Sequence, residues 1–331
     1  MDAIRVSDLR KTFVVHESRP GFRGAIRDLW SRKSKTIEAV RGVSFAIPKG
    51  EICGYIGENG AGKSTTIKML CGIMVPTSGT VLVDGVVPYV QRESFVRRIG
   101  CVFGQRSQLW WDLGVVESFS LLQKVYRVPL EDYRARLDEL TERLVLQSLL
   151  HLPVRKLSLG QRMRCELAAA MLHNPSLLFL DEPTIGLDVL VKGEIRAFLK
   201  SLNARYGTTI LLTTHDLQDI EALCSRVLML DAGKVLYDGA LEALKAAHPG
   251  KELRLRLSTP CTRDALDAVL EHQPYTIEDG GMTVRIRMAS GAHTAAVIAQ
   301  LSGVVDMRDM QLIETSTEDI VRTMYTGGAA Q

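Results

Sequence analysis

Apolar residues recur along this chain with two periods. Short β-branched runs (VSFAI, ICGYI, TVLVD, CVFG, LLFLD, TILLTT and RVLML) read as strands. Between them lie stretches of helical period, such as KSTTIKMLCGIM, GQRMRCELAAAMLH and VKGEIRAFLKSLNARY. The chain starts straight into a further strand-like pattern, IRVSDLRKTFVV. Such alternation predicts an α/β layered core with a mainly parallel sheet. From about Glu117 to Pro153 the pattern is helical throughout, so a helical subdomain, about 106–173, is expected to interrupt that core.

After Leu244 the pattern changes. ELRLRLS predicts a strand and TRDALDAVLEHQ a helix. YTIED and MTVRIRM flank Gly280-Gly281, a hairpin signal. The helix AHTAAVIAQL and the strand VVDMRDMQLIE follow. The order β-α-β-β-α-β is that of a ferredoxin-like unit, and a closing helix, STEDIVRTMY, begins with Ser316 placed as an N-cap. The expected organisation is a larger domain over 1–245 and a small α+β, ferredoxin-like accessory domain over 246–331.

The chain has 331 residues, 46% of them hydrophobic and 24% charged, with a net charge of +3. This is the composition of a folded soluble protein, and so balanced a charge gives no global nucleic-acid signal; no nucleic-acid partner is expected. Six cysteines, Cys53, Cys71, Cys101, Cys165, Cys224 and Cys261, lie far apart with no C-x-x-C pair. They read as small core residues of a reducing compartment, neither a disulfide frame nor a metal site. No N-terminal signal and no apolar run of about 18 residues is present, so the chain is not expected to span a membrane.

The strongest chemical signal is GENGAGKST, Gly57 to Thr65, which directly follows the strand EICGYI and opens a helix. It satisfies G-x-x-x-x-G-K-[ST], the phosphate-binding loop, in the context that motif requires. Its glycines (Gly57, Gly60, Gly62), with Asn59 and Ala61, let backbone N–H groups close around phosphate oxygens at a helix N-terminus. Lys63 is placed to neutralise the β and γ phosphates and Ser64 to hold Mg²⁺, with Thr65 beside it. A second signal is LLFLDEP, an apolar strand that ends in Asp181-Glu182. One carboxylate there can help hold Mg²⁺ and the next can polarise an attacking water. A third is LSLGQ, Leu157 to Gln161, ahead of an alanine-rich helix. A serine and a glycine before a helix N-terminus make an anion site, although taken singly this is a helix cap.

The ordered set of phosphate loop, Gln105, LSLGQ, LDEP, GLD (Gly186 to Asp188) and His215 after the strand TILLTT resembles the ATPase subunit of ABC transporters, across about residues 1–240. The resemblance implies a P-loop ABC ATPase core that binds ATP with Mg²⁺ and hydrolyses it. It implies that Gln105 senses the γ-phosphate and touches Mg²⁺ with Ser64 and Asp181. Glu182 would be the catalytic base and His215 would contact the γ-phosphate. Ser158 and Gly160, with Gln161 and Asp188, would complete the nucleotide site of a partner copy, so that ATP is sandwiched in a homodimer. Phe13 holds the place of the aromatic that stacks on adenine, or packs as an ordinary strand residue. LSLGQ departs from the family's LSGGQ at Leu159, which puts the fine geometry of that site in question.

Two of the three tryptophans, Trp110 and Trp111, are adjacent in QLWWDL. In such ATPases this segment leads into the helical subdomain and faces the membrane subunit, so an integral-membrane permease covers the pair, unless the loop folds back into the core. Trp30 lies in an insertion at about 17–36. There Phe22, Ile26, Leu29 and Trp30 share one helical face against six arginines and lysines, which suits a membrane surface, a docking partner, or packing on its own sheet. The resemblance places the protein peripherally at the cytoplasmic face of the inner membrane. TTIKMLCG and GQRSQLWWDL look like the exporter-type ABC-2 branch that includes drug-, antibiotic- and viologen-efflux ATPases. The alternatives are an importer ATPase whose ferredoxin-like tail senses substrate, as in methionine uptake, and a soluble ABC protein without a permease. The tail is read as a dimer brace or a ligand sensor.

Overall fold

The computed structural model describes residues 1–16, 34–104, 106–247, 251–270, 273–288, 294–314 and 316–328. The chain divides into two compact units, Met1–Leu241 and Glu242–Gln331.

In the first unit a six-stranded sheet runs in the order β5 (Ile99–Phe103), β6 (Leu177–Asp181), β7 (Thr209–Thr213), β3 (Ile52–Gly57), β8 (Arg226–Asp231) and β9 (Lys234–Ala240). All neighbours are parallel except β8 and β9, which form an antiparallel pair. β3, β6 and β7 are buried along almost their whole length, as continuous apolar runs require when both faces of a sheet are covered. A second, antiparallel sheet has the order β2 (Ser34–Pro48), β1 (Asp2–His16) and β4 (Ser78–Val83). One hydrophobic core joins the two sheets: Ile4, Val6, Leu9, Val43 and Val81 from the antiparallel sheet meet Tyr55, Phe179 and Leu228 from the parallel one. Helix α1 (Lys63–Leu70) contributes Ile67, Met69 and Leu70 to that core, which fixes the position of its N-terminus.

Helix α2 (Arg92–Phe95) is a short turn before β5. Helices α3 (Val115–Tyr126), α4 (Leu130–Arg143) and α5 (Leu159–Met171) follow β5, and α6 (Val189–Tyr206) follows β6. Helix α7 (Leu217–Leu223) follows β7 and packs so closely on β3 that a Cβ at Gly54 would stand 2.6 Å from Ile220 Cδ1. β1 and β2 pair out to His16 and Ser34. Trp30 and the basic face around it lie outside the described residues.

Helix α8 (Leu241–Ala247) starts at the last residue of the first unit, and the second unit holds an antiparallel sheet in the order β11 (Tyr275–Glu278), β12 (Thr283–Met288), β10 (Lys251–Leu257) and β13 (Met307–Glu314). With α9 (Arg263–Asp267) and α10 (Thr294–Ser302) between its strands, the chain order is β-α-β-β-α-β. Alternation in β12 puts Val284, Ile286 and Met288 into a core with Leu253, Leu255, Leu266 and Leu301. α9 is shorter than the apolar pattern from Thr262 to Gln273 predicts. Helix α11 (Thr317–Gly328) closes the unit, and Ser316 Oγ accepts from the Asp319 amide at 3.1 Å, the N-cap bond expected of it.

Candidate active site

The loop between β3 and α1 carries Gly57 to Gly62. Gly62 sits at φ +97°, and a Cβ there would lie 2.4 Å from the Ala39 carbonyl, so only glycine fits. Gly60 and Asn59 are exposed, whereas Ala61 is buried under the loop. Lys63, at the first turn of α1, is buried, and its Nζ donates to the carbonyls of Gly57 at 2.6 Å and Glu58 at 3.0 Å. Burial pushes its ammonium below the ordinary lysine value, against the pull of Glu182 and Asp181. A positive charge is thus held inside a collar of backbone groups at a helix N-terminus, an arrangement made for an anion.

Asp181 ends β6, next to β7, and its Oδ1 accepts from Thr213 Oγ1 at 2.6 Å and from Ser64 Oγ at 3.5 Å. Thr65 follows Ser64 and is half-buried. Glu182 follows at φ +55°, an uncommon backbone state for a non-glycine residue and a sign of local strain. Its amide donates to the Thr213 carbonyl at 3.0 Å and to Thr213 Oγ1 at 3.2 Å, so the ends of β6 and β7 hold the turn from both sides. The Glu182 carboxylate lies 2.6 Å from His215 Nε2. Gly104, one residue before Gln105, donates to the Asp181 carbonyl at 2.8 Å. Gln105 itself lies outside the described residues.

A second group stands at two other helix ends. Ser158 caps α5 in a full capping box: its Oγ accepts from the Gln161 amide at 3.2 Å and its own amide donates to Gln161 Oε1 at 2.9 Å. Asp188 caps α6 by accepting from the Val191 amide at 3.0 Å. A Cβ at Gly160 would stand 3.2 Å from Val191, so the two caps lie together. Among the described residues no hydrogen bond joins this group to the phosphate loop. Phe13 is half-buried on β1 with Lys11 Nζ 5.4 Å above its ring. Trp110 and Trp111 do not fold into the core; 41% and 53% of their surfaces are exposed.

Residues of the site that motif reading passes over are Thr213, Thr184 and Asp219. Asp219 is fully buried and accepts from Thr184 Oγ1, from Thr214 Oγ1 at 3.2 Å and from Arg196 Nε at 2.6 Å. It thereby ties the loops after β6 and β7 to α6. A cavity of about 270 Å³ opens beside Glu182, Gly186, Lys192 and His215.

The profile of the ABC transporter family matches residues 40–185. The ABC transporter ATP-binding protein NatA of Bacillus subtilis is 34% identical over 221 residues, 67% of this chain and 89% of NatA. The chain belongs to the ATP-binding subunits of ABC transporters. The daunorubicin resistance ATP-binding protein DrrA3 of Streptomyces coeruleorubidus is 34% identical over 86% of both chains. The methionine import ATP-binding protein MetN of Caulobacter vibrioides is 35% identical over 80% of this chain and 78% of MetN. Among solved structures, a dimeric post-hydrolysis state of an ATP-binding cassette bound to ADP and Pi shares 27% identity and a TM-score of 0.60, covering 72% of this chain and 98% of that one. The protein is therefore an ATP-binding, ATP-hydrolysing cassette. Cassettes of this family pair as dimers and work with membrane permease subunits. No helix among its described residues is long and apolar enough to cross a membrane.

Proposed function

We propose that the protein powers an ABC-2-type exporter of drugs or other small or lipophilic molecules, as a homodimer docked on a membrane permease at the cytoplasmic face of the inner membrane. The observation that carries the hydrolytic part is the junction of β6 and β7, where Asp181, Glu182 and His215 are held beside the buried Lys63. Exporter direction draws support from the likeness to a daunorubicin resistance protein over 86% of the chain.

In this reading the Lys63 ammonium exchanges the Gly57 and Glu58 carbonyls for the β and γ phosphate oxygens of ATP. Phe13 offers its ring to the adenine. The oxygen set of Ser64 and Asp181 suits Mg²⁺, a hard cation that takes a hydroxyl and a carboxylate while it keeps waters. These two residues, with Gln105, would hold the ion, which when bound neutralises charge on the phosphates. Glu182 orients the attacking water and accepts its proton, and His215 Nε2 steadies the Glu182 carboxylate and reaches the γ-phosphate. Ser158, Gly160, Gln161 and Asp188 close the site of the other copy. Trp110 and Trp111 meet the permease, since an exposed aromatic pair is an interface anchor and a poor monomer surface.

The test is Glu182→Gln. Removing the base while both phosphate-binding faces stay intact should nearly abolish turnover and leave an ATP-bound dimer on size-exclusion chromatography with ATP and Mg²⁺. A variant that hydrolyses at the wild-type rate, or that elutes as a monomer, defeats the assignment. An importer reading rests on the β-α-β-β-α-β tail and on the likeness to MetN. Cells lacking the protein would retain an efflux substrate under the first reading and fail to take up substrate under the second. For the tail itself we favour a brace between copies over a ligand sensor.

A further inference from the structure

The loop from Ser107 to the tryptophan pair is fastened to α5 by a buried carboxylate. Glu166 is 4% exposed and lies eight residues, about 12 Å, along α5 from Ser158. Its two oxygens accept from Ser107 Oγ and from the Gln108 amide, the latter at 3.2 Å. Gln108 Nε2 donates back to the Glu166 carbonyl at 3.0 Å. Ser107 Oγ also accepts from the Leu109 amide at 3.1 Å, so the carboxylate organises three consecutive residues. Burial pushes the Glu166 carboxyl above its ordinary value, against the hydrogen bonds from Ser107 and Gln108. Two further contacts run the same way: the Arg155 amide donates to the Trp111 carbonyl at 3.0 Å, and the Arg162 guanidinium stands 5.9 Å from the Trp111 ring.

A buried ionisable side chain is a costly way to pack a loop on a helix. A Leu or Met would fill the space without desolvating a charge. What the carboxylate adds is directional, short-range bonding, so that loop and helix move as one piece. In sequence the loop follows directly after Gln105, and α5 is capped by Ser158.

We propose that Glu166 is a positioning residue that links the loop after Gln105 to α5, so that γ-phosphate binding at Gln105 and the placement of Ser158 toward the partner's nucleotide change together. This rests on the roles given to Gln105 and Ser158 above. The loop is the part of the described chain that carries tryptophan, and in a Trp30→Phe background all emission comes from Trp110 and Trp111. The experiment compares this background with added Glu166→Gln, Ser107→Ala and both together, on the full chain.

ATP with Mg²⁺ should shift the emission of the background protein. Glu166→Gln, which keeps the volume but removes the charge and turns one of the two accepting oxygens into an NH2 donor, should cut that shift by more than half. Ser107→Ala should do the same, and the double variant should be no worse than either single one, because all three break one link. Steady-state kcat should fall about tenfold, the equivalent of one charged hydrogen bond, with KM for ATP within about twofold of normal. Unchanged emission shifts in both single variants would overturn the proposal, as would an absent shift in the background protein. So would a parallel loss of ATP affinity and thermal stability, which is what mere packing predicts. A Glu182→Gln variant that traps the dimer while Glu166→Gln leaves the emission shift intact defeats this link alone. Failure of Glu182→Gln to trap the dimer defeats the underlying reading instead.

Discussion

One buried hydroxyl, Thr213 Oγ1, touches both the Asp181 carboxylate and the Glu182 amide, and Thr213→Val isolates its contribution. The substitution keeps the shape and volume of a side chain that has no exposed surface. It removes the donor to Asp181 Oδ1 at 2.6 Å and one of two acceptors of the Glu182 amide. The second acceptor, the Thr213 carbonyl at 3.0 Å, is untouched, so the strained turn at Glu182 stays held. The loss is therefore one hydrogen bond to a charged group, about 1.5–3 kcal/mol. If it falls on the transition state, kcat drops about 10- to 150-fold. If it falls on folding, a unit of this length loses about 2–4 °C in Tm per kcal/mol, hence about 3–12 °C. Steady-state ATPase rates and thermal melts measured together divide the loss between the two, and Thr213→Ser, which restores the donor, should recover most of it. A Thr213→Val protein that turns over within twofold of wild type and melts within a degree of it would refute the assignment of this hydroxyl.

Arg196→Met strands the Asp219 carboxylate in the interior with only hydroxyl partners, and should cost about 3–5 kcal/mol in urea unfolding; a cost below 1 kcal/mol would contradict that account. His173 stacks on Tyr126 at 4.0 Å and its Nε2 meets the Ile99 carbonyl at 2.8 Å, while burial pushes its pKa below the ordinary 6.5. A depressed histidine favours the fold above its unfolded pKa, and this contribution is lost as the pH falls from 6.5 through the folded value. The pH dependence of stability should thus be shallower below 6.5 in His173→Phe, as denaturant midpoints across that range will tell. Changing Trp110 and Trp111 to Ala together should reduce co-purification with the permease and leave ATP affinity of the isolated subunit near normal; an unfolded double variant would contradict the exposed placement of the pair.

Some of this could be read from the sequence, and the reason is locality. GENGAGKST and LLFLDEP announce themselves because the strand, the turn and the helix cap that position each motif are contiguous. The period-2 alternation of MTVRIRM likewise matches the buried Val284, Ile286 and Met288 of β12, although Thr283 on the other face is buried too. What pattern reading left unresolved depends on pairing between distant segments. β1, β2 and β4 look like any other strands, yet they leave the parallel sheet and form an antiparallel one across the core. β9, the segment KVLYDGA, has too weak an apolar run to be noticed, and only its pairing with β8 makes it a strand. Thr213 and Asp219 could not be ranked above the other polar residues of TILLTTHDLQDI. Their importance comes from Asp181 and Arg196, which approach from elsewhere in the chain.

The departure of LSLGQ from LSGGQ has a physical resolution in the same terms. A side chain at position 159 stands at the first turn of α5, where two copies of the protein would meet. It needs somewhere to lie that does not block the helix N-terminus. A Cβ built on Gly186 would come within 3.1 Å of Leu159 Cδ2, so the leucine lies over a glycine that itself sits at φ +71°. The capping box through Ser158 and Gln161 is complete despite the leucine, and Gly160 keeps its close approach to Val191. The substitution therefore places its side chain against the GLD turn. Beside that turn Val189 and Leu190, 82% and 81% exposed, extend the same apolar margin around Asp188. In one copy alone this margin is a liability in water. Set against a second copy it would exclude solvent from the nucleotide held between them, where Coulombic contacts to phosphate gain strength as water leaves.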